Sequence, residues 1–258
     1  MITADDVKKL RDVTGVSVMQ CRKALEEAEG DFAQAKKILE RNQGAAAAKK
    51  ADRMTKDGLV VVVEKDGKAL GVELLCETDF VARNEDFVKG ATDIANKGLE
   101  SGVDEAKKYA EEVIPSLIQK IGENIQLGDV VEVSADHVGV YVHGGKKASI
   151  IGLKGGSKEL AKDIAMHATA MGPRYIKKED ISDEDRTDMM KVFEKEVAES
   201  GRPDDIKAKM LEGKMNTHFA SLTLVEQDFI KDPSKTVKKL LEEKSADVVS
   251  YTYLSVGL

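Results

Sequence analysis

The chain has 258 residues, 41% of them hydrophobic, which is more core material than one hundred-residue unit needs, so two or three domains are expected. Charged residues make up 34% and the formal net charge is −7, a solvated and mildly acidic surface that argues against direct nucleic-acid binding and for a protein partner. The amino terminus, MITADDVKKL, has no apolar signal core, and the longest strongly apolar run, Leu59–Val63, is too short to cross a bilayer, so a cytoplasmic protein without membrane attachment is expected.

Residues 1–43 read as a module of three short helices. Thr3 and Asp6 cap the first, whose apolar face is Val7, Leu10 and Val13 and which ends at Gly15; the second runs from Ser17 through Met19, Cys21, Ala24, Leu25 and Ala28 to Gly30; Asp31 caps the third, with Phe32, Ala35, Ile38 and Leu39 inward. So small a core is marginal alone, and its exposed face is expected to be held against something. Residues 44–56 open with Gly44–Lys50, a helix-prone run with nothing to pack on, and read as a linker.

A core subdomain over 57–135 begins with two strands joined around Lys65-Asp66-Gly67-Lys68, because Asp-Gly is a strong hairpin signal. A helix follows with Phe87, Val88, Ala91, Ile94 and Ala95 on one side, and helical segments continue from Ala106 to Gln126. The plan then recurs in DHVGVYVHGGKKASIIGLKGGSKELAKDIAMHATA as strand, glycine turn, strand and helix, so 136–181 together with 220–258 read as a second, related subdomain. Residues 182–219 are an insertion: two charged helices, roughly Asp183–Ser200 and Asp204–Phe219, form an antiparallel hairpin lined by Met189, Phe193, Val197, Ile206, Met210 and Leu211. Asp232-Pro233-Ser234 starts a helix through Val237, Leu240 and Leu241, and ADVVSYTYLSVGL alternates as a last strand that completes the second sheet. The fold class is α+β, with antiparallel sheets in two related α/β subdomains.

Motifs for chemistry are scarce. Neither GxxxxGK[ST] nor GxGxxG occurs, and Gly155-Gly156-Ser157-Lys158 reads as a turn entering a helix. His137, His143, His167 and His218 have no metal-ligand spacing; His143 reads as a solvent-exposed or partner-facing side chain and His167 as structural. Cys21 and Cys76 lie far apart inside apolar patterns and read as reduced core thiols. The acidic residues fall on solvating helix faces and form no catalytic pair, so no enzyme, metal or cofactor is expected.

One stretch stands out. From Gly71 to Ala95 the first copy spends 25 residues where the second, from Ser149 to Ala165, spends 17, and the excess falls around Thr78–Glu85. Within it, Phe80 belongs to neither the period of the strand before it nor that of the helix after it. Two readings stay open: Phe80 folds back on its own sheet while Asp79 caps the next helix, or Phe80 stands in water and lodges in a partner, a burial worth ~1.5–3 kcal/mol.

The stretch CETDFVARNEDF resembles the Thr-Asp-Phe-Val signature of the bacterial elongation factor Ts family, the guanine nucleotide exchange factors for elongation factor Tu. LRDVTGVSVMQCRKALEEAEGDFAQA, QKIGENIQ, DIAMHATAMGPRYI and DPSKTVKKLL are similar to further family segments, so the resemblance covers nearly the whole chain. It implies a ubiquitin-associated-like module at 1–43, two α/β core subdomains and an inserted coiled-coil hairpin. It also implies a translation factor that binds elongation factor Tu carrying GDP and promotes GDP release so that GTP rebinds, without covalent catalysis. Thr78, Asp79, Phe80 and Val81 would enter the partner's nucleotide domain, Asp79 and Phe80 prying two helices apart and disturbing the magnesium site. Arg11, Val18 and Met19 would touch the same domain, Val18 standing where some relatives have methionine, and Arg22, His143 and Ile230 would touch the distal domain. A further carboxy-terminal module found in some members would be missing after Leu258. Two other readings compete: an enzyme with a small-molecule site between the α/β units, for which no convergent polar residues are evident, and a chaperone or scaffold that holds elongation factor Tu without exchange. A homodimer or a two-to-two complex stays open.

Overall fold

The first helices start where polar side chains satisfy amides that have no intrahelical partner. In the computed structural model, which describes residues 2–257, the Thr3 side chain accepts from the Asp6 amide and the Asp6 carboxylate from the Thr3 amide at the head of α1 (Ala4–Thr14). The Ser17 and Asp31 side chains accept from the Gln20 and Gln34 amides at the heads of α2 (Val18–Glu27) and α3 (Phe32–Arg41). The three share a core of Val7, Leu10, Val16, Cys21, Leu25, Ile38 and smaller neighbours. Two expected core residues face out. Val13 is exposed because the inward stripe runs from Val7 and Leu10 to the half-buried Thr14 and on to Val16, and Phe32, at the first position of α3, precedes that helix's buried face.

The run expected to lack a packing partner is helical: α4 (Gln43–Ala48) lies against the helix Val103–Ile121, and Ala47 packs on the core beneath it. Its partner stands some sixty residues further along the chain, out of reach of local pattern.

Strands β1 (Asp57–Lys65) and β2 (Lys68–Cys76) pair antiparallel, from Asp57 opposite Cys76 to Lys65 opposite Lys68. Asp66 and Gly67 take φ of 50° and 76°, the two left-handed residues a tight hairpin turn requires. After the short α5 (Asp79–Ala82), α6 (Glu85–Ser101) packs on the hairpin and on α7 (Val103–Ile121). Phe87, Ala91, Ile94 and Ala95 fill the space between, while Val88 lies at the margin and is exposed. Helix does not continue to Gln126: Gly122, at φ 95°, ends α7, and β3 (Ile125–Ser134) becomes the third strand, in the order β1-β2-β3. The apolar residues Leu117, Ile118 and Ile121 fit a helix, and nothing local shows that Ile125 serves a strand instead.

A second three-stranded sheet has the order β4-β5-β8, from β4 (His137–His143), β5 (Lys147–Gly155) and β8 (Ala246–Ser255), as expected for a last strand that completes it. Between β5 and β8 lie α8 (Lys158–Met171), α9 (Asp183–Ala198), α10 (Asp204–Leu222), the paired strands β6 (Asp228–Phe229) and β7 (Asp232–Thr236), and α11 (Val237–Glu243). In α9 and α10, Glu196 meets Lys214 at 2.8 Å and Phe193 meets His218 with ring centroids 5.6 Å apart, a pairing that steps in opposite directions and so makes the helices antiparallel. Ile206, expected inside, is exposed near the start of α10. Asp232-Pro233-Ser234 does not open a helix. Those residues form β7, and α11 begins only after Thr236, whose hydroxyl accepts from the Lys239 amide.

The chain divides into two compact units, Met1–Glu132 with Val142–Ala148 and Leu254–Leu258, and Val133–Tyr141 with Ser149–Tyr253. Among the described residues no helix is long and apolar enough to cross a membrane.

Within the second unit, Gly139 of β4 lies against the backbone of α8. A Cβ there would sit 2.0 Å from the Ala161 carbonyl carbon and 2.2 Å from the Lys162 nitrogen. Gly139→Ala is therefore expected to lower the stability of this unit by ~1–3 kcal/mol, read from urea unfolding, because helix backbone cannot step aside as a flexible side chain would.

Candidate interaction site

Two connections lead from a strand into the helix packed on it. Between β5 and α8 it takes two residues, Gly156 and the capping Ser157; between β2 and α6 it takes eight, Glu77–Asn84. Most of the extra length noted in the sequence lies there.

The eight residues are ordered by caps at both ends. The Thr78 hydroxyl accepts from the Val81 amide to open α5, and the Asn84 side-chain Oδ1 accepts from the Asp86 and Phe87 amides to open α6. Asp79 therefore caps neither helix. It lies in the first turn of α5 and pairs with Arg83 at 3.4 Å on the surface, a contact of small energetic weight. Ala82 is buried, and Val81 packs on the core of the first unit. With those two turned in, a single helical turn must turn Phe80 out, and Phe80 is 83% exposed. The ring does not fold back on its own sheet.

The base of the segment is held by a residue that sequence reasoning did not single out. Glu123, just after α7, accepts from the Glu77 amide at 3.1 Å and the Thr78 amide at 3.0 Å through one carboxylate oxygen, and from the Thr78 hydroxyl at 2.7 Å through the other. The grip is mutual. The Asn124 amide donates to the Glu77 carboxylate at 2.6 Å, and the Asn124 side chain donates to the carbonyls of Ala51 and Arg53. Beneath, the Cys76 thiol donates to the Thr78 carbonyl; burial, with Asp57 and Glu123 adding to it, pushes its pKa up to about 12, so it stays a protonated core thiol. The only local signal for Glu123 is its place after the helix-ending Gly122.

The other sequence-predicted residues lie on other elements. Arg11 is exposed on α1. Val18 and Met19, at the start of α2, are both exposed, so the expected helix contains Met19 but does not bury it. Arg22, one turn on, pairs with Glu26 at 2.9 Å. His143 is exposed at the end of β4, in a turn fastened within the first unit: the Val60 amide donates to the Gly145 carbonyl at 2.8 Å, and the Lys146 ammonium meets Asp57 and the Gly58 carbonyl. Burial works against the Asp57 carboxylate, but Lys146 and the Gly58 amide outweigh it and hold its pKa below the usual value. Ile230 is exposed in the turn between β6 and β7 and belongs to the second unit. Thus Arg11, Val18, Met19, Arg22, the 78–81 segment and His143 fall in the first unit, and Ile230 does not.

The profile of the family described as elongation factor TS matches residues 77–258, beginning at the first residue of the connection between β2 and α6. Along 99% of its length the chain is 40% identical to elongation factor Ts of Hahella chejuensis, 41% to that of Aeromonas salmonicida and 39% to that of Nitrosospira multiformis, covering 92%, 91% and 90% of those proteins. The class is thereby that of the translation elongation factors. Within it, the chain belongs to the elongation factor Ts family.

Because Glu123 accepts from the amides of both Glu77 and Thr78, Glu123→Ala is expected to lower their opening free energy by ~1–3 kcal/mol. Amide hydrogen exchange should show this at residues 77 and 78 while the ladder between β1 and β2 stays protected.

Proposed function

We propose that this chain binds elongation factor Tu in its GDP form and accelerates GDP release, and that the exposed Phe80 ring is the part that enters the partner. The observation that carries the reading is an aromatic side chain held 83% exposed by an anchored segment, at the family's Thr-Asp-Phe-Val positions. Burial in a partner pocket would return ~1.5–3 kcal/mol, which favours whichever partner conformation opens such a pocket. In this reading Thr78 and Val81 hold the segment's shape, Phe80 separates two helices of the nucleotide domain, and Asp79 competes for polar groups around the magnesium ion. That ion bridges the partner to phosphate, so disturbing it removes a large electrostatic contribution to nucleotide affinity.

Linkage gives the direction. A factor that binds the nucleotide-free partner more tightly than the GDP form must weaken GDP binding by the same ratio, and GTP can then rebind and expel the factor. No bond is made or broken. Arg11, Val18 and Met19 are assigned to the nucleotide domain, and Arg22, His143 and Ile230 to the distal domain, in a cytoplasmic complex that needs no nucleic acid and no cofactor of its own. In the same reading residues 1–43 form the ubiquitin-associated-like module, 44–56 the linker, 57–135 and 136–181 with 220–258 the two core subdomains, and 182–219 the coiled-coil insertion.

Release of a fluorescent GDP analogue from elongation factor Tu tests this. Phe80→Ala should slow stimulated release by ~10- to 150-fold, the kinetic equivalent of losing the ring's burial, while urea unfolding of the variant stays as it was because the ring adds nothing to the core. Unchanged stimulation would refute the wedge. Tight binding by the unaltered chain with no faster release would point to a scaffold instead.

A further inference from the structure

His167 is fully buried on α8, and both of its ring nitrogens are in use. Nδ1 lies 3.2 Å from the Ile230 amide nitrogen. A backbone N–H can only donate, so Nδ1 carries no proton and the neutral ring has its hydrogen on Nε2. Nε2 in turn faces the Gln227 Oε1 at 2.9 Å, and the orientation of that amide is fixed independently, since its own nitrogen donates to the Ser221 carbonyl at 2.6 Å. Donation thus runs from Ile230 to His167 to Gln227 to Ser221, with one tautomer satisfying every step.

Most of the charged groups nearest in sequence to His167 and Ile230 are paired with other residues. Asp163, one turn earlier on α8, pairs with Lys231 at 2.6 Å; Glu226 pairs with Lys178; the Asp232 carboxylate takes the Ser234 hydroxyl; Lys235 pairs with Glu243; Asp228 is exposed; His218 lies against Phe193 and Phe219. The nearest ring is Phe229, with centroids 5.9 Å apart. Burial pushes the His167 pKa below its usual 6.5, against a smaller opposing effect from Gln227. The unfolded chain therefore takes up the proton more readily, and what His167 contributes is complete above pH 6.5 and lost as pH falls below it toward the folded value. A proton on Nδ1 would set two N–H donors face to face.

We propose that His167 is the positioning residue for Ile230: its unprotonated Nδ1 holds the Ile230 amide, fixes the exposed isoleucine for the partner, and releases it in acid. The proposal rests on reading Ile230 as a partner contact. It explains why the turn after the two-residue strand β6 is tied to a buried titratable ring rather than to a backbone carbonyl.

The affinity of the full chain for nucleotide-free elongation factor Tu, followed from neutral pH down through the acid range in which circular dichroism shows both proteins still folded, tests it. His167→Asn keeps an acceptor where Nδ1 stands and gives up the bond to Gln227; His167→Gln places its amide near Nε2 and offers Ile230 no acceptor. Each loses one buried hydrogen bond, so urea unfolding should lower their stability alike. Their affinities should nevertheless differ. His167→Gln is expected to bind ~10-fold more weakly, as weakly as Ile230→Ala, and the double variant no more weakly than either. His167→Asn should stay within ~2-fold of the unaltered chain at neutral pH and should lose part of the weakening that acid causes in it. Equal losses in Asn and Gln, additive losses in the double variant, or an undiminished acid response in His167→Asn would overturn the proposal. If Ile230→Ala alone binds normally, the proposal falls through the contact assignment, and the Phe80 dependence of GDP release shows separately whether the exchange reading survives.

Discussion

Three hydrogen bonds to one carboxylate constrain everything else about the candidate site. Glu123 takes the amides of Glu77 and Thr78 and the Thr78 hydroxyl, and this fixes where the chain leaves β2. From there the consequences are geometric. Thr78 caps a single turn, Val81 and Ala82 go into the core, and Phe80 has only the outward side left. A phenyl ring in water forgoes ~1.5–3 kcal/mol of burial, and a slack loop of eight residues would recover some of it by folding over. The clamp at one end and the Asn84 cap at the other remove that slack.

The rest of the first unit serves as a floor for this segment. Cys76, Phe87, Ile94, Leu117 and Ile118 make a continuous core under α5, and α4 extends it. The same economy recurs at the turn carrying His143, where backbone and ion-pair contacts from Gly145 and Lys146 fasten an exposed side chain to β1. In the second unit Ile230 is exposed over a buried, fully bonded imidazole. Phe80, His143 and Ile230 thus each pair an exposed side chain with a backbone that is bonded from beneath. Such pre-organisation limits the ordering entropy that association must overcome.

Local chemistry was legible in the sequence. Thr3, Asp31 and Ser157 announced helix starts, Asp66-Gly67 announced the hairpin, and alternation announced β8. What failed depended on partners far along the chain. Gly44–Lys50 looks unsupported because its support is α7; Ile125 and Gln126, the first residues of β3, read as helix because Gly122 carries no mark of the strand beyond it; and Asp232-Pro233-Ser234 looks like a helix start although Thr236 is the cap. Val13, Phe32 and Ile206 each lie at a helix end, where one residue of drift moves a side chain from core to solvent. Phe80 was found because it fitted neither neighbouring period, and Glu123 was missed because its role appears only when residues 45 apart are brought together. Family resemblance pointed to the same stretch and was upheld by matches along 99% of the chain.

In the proposed exchange reading the Phe80 ring, exposed in the free chain, is covered only by another protein. Fluorine NMR of the chain carrying 4-fluorophenylalanine at position 80 measures this directly, through line broadening by a soluble paramagnetic agent with and without elongation factor Tu. The account predicts strong broadening in the free chain and protection, with a shifted resonance, in the complex. A resonance protected in the free chain, or equally broadened in both states, would contradict it.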